Sequence, residues 1–149
     1  MIPTRVVAMG IALALLLPTV SLVGVGQAQV PTGVTSDIER SSETSPAEKI
    51  AYAEASNEEI RDAEKAINRL LEQARKDGDA EAVECLVNKL TSVRALQQVS
   101  VSAEVAMKDA LTAGSDERAS HEFRKIAVAV TKTRMLLAEA QRCASDQQV

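Results

Sequence analysis

The chain has no tryptophan, one tyrosine (Tyr52) and one phenylalanine (Phe123). That leaves no platform on which single-stranded nucleic acid or sugar rings could stack. A formal net charge of −4 gives no attraction to phosphates or anionic headgroups, so nucleic acid is not an expected partner. His121 is the only histidine, and no second imidazole exists to build a histidine-centred zinc or haem site with it. After Gly33 the only glycines are Gly78 and Gly114, so the glycine-rich spacing of a phosphate loop is missing. No proline occurs in the 103 residues after Pro46. An interior proline costs a helix about 3 kcal/mol, so a stretch this long without one is open to long helices.

What is present begins with an export signal. Arg5 precedes an apolar run from Val6 to Leu17 that stops at Pro18, and small residues lead on to Gly26-Gln27-Ala28. A basic start, a short apolar core and a small-x-small site predict a signal peptide over residues 1–28, cut after Ala28. A retained membrane anchor is the rival reading, because the apolar stretch extends to Gly26; Pro18 and the cleavage-like site argue against it. No cysteine follows the run, which argues against a lipoprotein. Cleavage removes Arg5 and no acidic residue, taking the net charge from −4 to −5. The expected location is periplasmic or extracellular, with no membrane span left after cleavage.

Residues 29–44 carry Pro31, Gly33 and several serines and threonines without apolar periodicity, the composition of a flexible lead-in. Ser45-Pro46-Ala47-Glu48 then reads as a helix start, with Ser45 as N-cap, Pro46 in the first turn and Glu48 closing a capping box. The first helix is predicted over Pro46 to about Lys76. Its stripe is Ala53, Ile60, Ala63, Ile67, Leu70 and Ala74. Ser56-Asn57-Glu58-Glu59 resembles a second capping box, so residues 46–55 could form a separate segment; a continuous helix is the favoured alternative.

Gly78 and Asp79 suit the end of one helix and the cap of the next. The second helix is predicted over Ala80 to about Ala113, with a stripe of Leu86, Leu90, Val93 and Leu96. That stripe continues in smaller residues through Val99, Ala103, Ala106, Ala110 and Ala113, with Met107 beside it. After Gly114-Ser115 the third helix spans about Asp116 to Ala144. Phe123, Val130, Leu137 and Ala144 share one heptad position, and Ala119, Ile126, Thr133 and Ala140 the other. Ala129, Leu136 and Cys143 flank them, so this helix has two neighbours to meet. Glu72/Lys76 and Glu104/Lys108 are spaced as supportive i,i+4 pairs.

The two cysteines carry the architecture. Cys85 lies 29 positions before Gly114 and Cys143 lies 29 positions after it. In an antiparallel hairpin turning at Gly114, residues equidistant from the turn face each other, and two thiols in an exported chain form one disulfide. The expected fold is therefore all-α: an elongated, antiparallel, coiled-coil-like three-helix bundle over residues 45–146, with one disulfide and a short tail at 147–149. A redox-active pair needs a closely spaced, low-pKa thiol, which this spacing does not offer.

Glu54, Glu58, Asp62 and Glu64 crowd one stretch of the first helix, read either as a solvated acidic face or as a surface for cations or a basic partner. Leu90-Thr91-Ser92-Val93-Arg94 falls one residue short of the Leu-Thr-x-x-Gln motif of small helical periplasmic stress chaperones. Arg94 stands where that motif has glutamine and no second copy occurs, so no function is carried over. No residue set points to catalysis, a cofactor or a metal. The functional expectation is a non-enzymatic interaction or structural module that binds another protein or a second copy of itself. Val87, Val101, Val105 and Val128, off the main stripes, supply the surplus apolar surface. A holdase-type chaperone is the alternative, and a small-ligand or metal carrier the third.

Overall fold

The computed structural model describes residues 44–145. The expected signal peptide, the lead-in before Thr44 and the tail at 147–149 lie outside the described residues. Three helices account for nearly all of the rest: α1 (Pro46–Asp77), α2 (Ala80–Thr112) and α3 (Asp116–Ser145). Each packs against the other two, and no strand occurs among the described residues. At 1.5 Å per residue each helix is roughly 45–50 Å long, so the bundle is elongated. Among the described residues no helix is long and apolar enough to cross a membrane.

Local chemistry sets the helix ends as expected. The Ser45 N–H donates to Glu48 Oε2 at 2.9 Å and the Glu48 N–H donates back to Ser45 Oγ at 3.4 Å, a complete capping box. At the far end of α1, Gly78 turns left-handed (φ 73°) and the Asp79 N–H returns to the Ala74 carbonyl. Asp79 then caps α2, its Oδ1 accepting from the Ala82 N–H at 2.9 Å. Gly114 repeats the device (φ 69°), and the Ser115 N–H reaches the Ala110 carbonyl. The Ser115 carbonyl accepts the first α3 bond, from the Ala119 N–H, which places Ser115 at the cap.

Side-chain pairs report the register. Cys85 and Cys143 form a disulfide with Cα atoms 6.1 Å apart. One turn further in, Lys89 pairs with Glu139, each 25 positions from Gly114. The hairpin of α2 and α3 is thus symmetric about the glycine, as the cysteine spacing requires. The α1–α2 pairs Glu54–Lys108 and Glu64–Arg94 run in opposite senses, and the α1–α3 contacts Lys49–Ser120 and Glu59–Arg134 advance together. The topology is up-down-up.

α1 is continuous. Ser56 and Asn57 are buried within it instead of capping a second helix. Its first turns are held to α3 by the ring contact of Tyr52 with Phe123, centroids 4.9 Å apart, and by the buried Lys49 Nζ donating to Ser120 Oγ at 3.0 Å.

The stripes hold with a few displacements. Leu71 is buried where Leu70 was expected, with Leu70 packed at the core's edge. Leu137 and Ala144 are only half-buried near the α3 terminus. The largest change is in α2. Val99 is 49% exposed and Ser100 fully buried. Seven-residue stepping explains it: the buried set runs Val93, Ser100, Met107, with Ala103 and Ala110 three residues on from Ser100 and Met107. Apolar character selects Val99; helical geometry selects its polar neighbour. Ala113, expected as the last of the stripe, lies just past the end of α2 and is exposed, and Ala106 is half-exposed. Of the two i,i+4 pairs, Glu104–Lys108 forms at 2.6 Å; Glu72 and Lys76 make no ion pair.

Ser100 belongs to a polar belt. One apolar cluster, with Ile60, Ile67, Leu86, Leu90 and Val93, fills the crosslinked end, and another, with Ala53, Met107, Phe123 and Ile126, fills the Gly114 end. Between them in register lie Ser56, Asn57 and Ser100, with Thr133 about one turn toward the crosslink. Asn57 Nδ2 donates to Glu104, yet Asn57 Oδ1, Ser100 Oγ and Thr133 Oγ1 are buried without a hydrogen-bond partner. An unsatisfied buried polar atom costs about 1–3 kcal/mol.

Two outcomes follow from this packing. Denatured, unreduced protein should show no free thiol, and a Cys85→Ser/Cys143→Ser double variant should lose several kcal/mol in urea unfolding. Closing a loop across 58 positions contributes roughly 4 kcal/mol at most in the chain-entropy account; a fully thiol-reactive native protein would contradict the hairpin register. Ser100→Ala and Thr133→Val should each hold the free energy of urea unfolding or raise it by about 1 kcal/mol, because they delete buried hydroxyls without a hydrogen-bond partner. A loss of that size would mean those hydroxyls do have a partner in solution.

Candidate interaction surface

The surface of interest follows from the composition of α2. Residues 95–103 of this helix carry no charge, between Arg94 on one side and Glu104 on the other. One face of that stretch is spent on the core, and the rest, in which Val99 and Val101 stand among Ala95, Gln98 and Ser102, remains uncharged and outward. Val99, Val101 and Val105 are 49%, 42% and 58% exposed, and Val87 is exposed further along. Three-helix packing therefore leaves three of the four off-stripe valines exposed; Val128 is half-buried.

The exposed residues divide between two flanks of α2. At 100° per residue, Val87, Val101 and Val105 share the flank of Arg94 and Lys108, next to the α1 seam. Val99 points the other way, into a groove between α2 and α3 that no α1 residue lines. The larger part of this groove, about 500 Å³, is walled by Ala95, Leu96 and Val99 from α2 and by Met135 and Leu136 from α3. A second part of about 360 Å³ continues toward Gly114, past Val128 and Lys132. Met135, at the groove mouth, is 50% exposed.

The two walls differ in charge. The lining from α2 is neutral, while the lining from α3 carries Arg124, Lys125 and Lys132. The same wall carries two carboxylates, and both are engaged: Glu122 by Lys125 at 2.8 Å and Glu139 by Lys89. Lys132 makes no ion pair among the described residues and faces solvent. His121, at the Gly114 end of this wall, is exposed.

The acidic stretch of α1 is neutralised from within the fold. Glu54 binds Lys108, Glu58 binds Arg61, Asp62 binds Lys65 and Glu64 binds Arg94. Among the described residues, no three His, Cys, Asp or Glu side chains converge as a metal ion requires. Cys85 and Cys143 are joined to each other and neither is a free thiol. The interhelical partners of these carboxylates were not legible in the chain, because i,i+4 spacing reports neighbours within one helix only.

Compared with known proteins, the chain matches no family model, no curated protein and no solved structure.

Two of the ion pairs that frame these surfaces have a pH signature. The Arg134 hydrogen bonds hold the Glu59 carboxyl below its ordinary pKa, and the Lys89 hydrogen bond does the same for Glu139. A carboxylate lowered by folding adds stability above its unfolded value, and that contribution vanishes as pH falls through the folded value. The melting temperature followed by circular dichroism should be flat from about pH 7 to 5 and fall below about pH 4. Glu59→Gln with Glu139→Gln should blunt that fall; an equally steep fall in the double variant would remove these pairs as its source.

Proposed function

We propose that the chain is an exported, non-enzymatic interaction module that binds another protein through the uncharged middle of α2. One observation carries the reading: Val99 and Val101 are exposed within residues 95–103, a stretch with no charge. The cores of protein interfaces are depleted of charge in the same way, and exposed apolar patches on soluble chains mark contact sites. Support for export comes from the apolar run of residues 6–17, the small-x-small site at Gly26-Gln27-Ala28 and the pairing of both cysteines.

The test is a tagged purification from the native compartment under non-reducing conditions, with parallel Val99→Glu and Val101→Glu variants. Glutamate is a better helix former than valine, so these exposed changes should leave the melting temperature within a few degrees. One dominant stoichiometric companion, lost from at least one variant, is the expected result. A broad spread of unrelated proteins would replace the reading with a holdase-type chaperone, and an empty eluate would remove it.

A further inference from the structure

We infer that the groove between α2 and α3 seats an amphipathic helix whose flank is acidic. The inference deepens the interaction reading above and rests on it. An antiparallel hairpin of two helices has two sides. α1 fills one, and the groove is the other, the place a fourth helix occupies in a four-helix bundle.

Its dimensions suit a helix. From Ser92 to Ala106 the α2 wall runs about 21 Å at 1.5 Å per residue, or four turns. Ala95, Ser102 and Ala106 keep that wall low, which lets an incoming helix approach closely. Leu96, Val99, Met135 and Leu136 form the apolar floor and rim that would receive side chains spaced i, i+3, i+4 and i+7.

Charge selects the partner. A helix lying here has neutral α2 on one side and the cationic α3 wall on the other. Lys132 makes no ion pair among the described residues, because the carboxylates Glu122 and Glu139 on this wall are already taken, by Lys125 and Lys89. Carboxylates along one edge of the guest complement that wall, whereas lysines there would oppose it. The same logic disfavours a second copy of this chain, because a twofold contact through the groove brings the cationic walls together.

The test measures two fluorescent peptides of about 18 residues, long enough to span the groove. Both carry the same leucine stripe, one flanked by glutamate and the other by lysine, and both are titrated with the intact, disulfide-bonded protein. The glutamate-flanked peptide should bind about tenfold tighter at low ionic strength, with the gap closing at high salt. Val99→Glu should abolish binding of the glutamate-flanked peptide, and Lys132→Glu should reverse the preference. Equal binding of both peptides, or binding of neither, overturns the inference. Loss of binding on Val101→Glu with Val99→Glu unaffected moves the contact to the α1 side. That result leaves the interaction reading intact while the groove falls. A dimer that Val99→Glu dissolves would give the groove to a second copy. Preferential binding to phosphatidylglycerol vesicles would give it to a lipid surface. Either overturns the acidic helix.

Discussion

The covalent bond between α2 and α3 matters because the core around it is thin. Alanine fills a large share of the buried positions: Ala53, Ala63 and Ala74 on α1, Ala82, Ala103 and Ala110 on α2, and Ala119, Ala127, Ala129 and Ala140 on α3. Each removes little apolar area from water, at about 25 cal/mol per Å², and the entropy of ordering about a hundred residues opposes it. Joining Cys85 to Cys143 removes part of that opposition from the unfolded chain before any contact forms. The bond sits opposite the Gly114 turn, so the hairpin is closed at both ends and its two helices cannot slide past each other. α1 then packs on a platform whose register is already settled, and the arginine and lysine pairs to Glu54, Glu59 and Glu64 align it.

Much of this was legible in the chain. Gly78 and Gly114 marked the turns, Ser45 and Asp79 the caps, and equal spacing of the cysteines from Gly114 the pairing of α2 with α3. These signals are local or symmetric, and neither kind requires knowledge of what lies alongside. Reading by hydrophobicity failed where burial and polarity part company. Ser100 is inside and Val99 outside, Lys49 and Asn57 are buried, and Ser56 serves packing instead of a cap. In each case the position on the helix decides burial, and the residue type was chosen for some other reason.

The candidate surface was half-visible. The surplus valines of α2 could be counted in the sequence, but which of them a neighbour would cover depends on how far each helix rotates about its own axis. Val99 was assigned to the core, so the groove it lines could not be anticipated. Nor could the contrast between its neutral and cationic walls, which exists only once α3 has been folded back beside α2. The acidic stretch of α1 illustrates the reverse case. As a sequence it is a cluster of uncompensated charge; as a structure each carboxylate has a cation within reach, two of them supplied from α2.

The crosslink also gives the bundle an asymmetric mechanical response. A pull applied to the chain on either side of the bundle passes through the sulfur–sulfur bond and bypasses everything between Cys85 and Cys143. Only α1, the first turns of α2 and the few residues after Cys143 lie in the loaded path. The hidden loop, close to 200 Å of extended contour at about 3.4 Å per residue, stays slack until the bond is reduced. Under tension the molecule therefore sheds α1 from its platform first, while the α2–α3 hairpin, and the groove on its far side, carries no load.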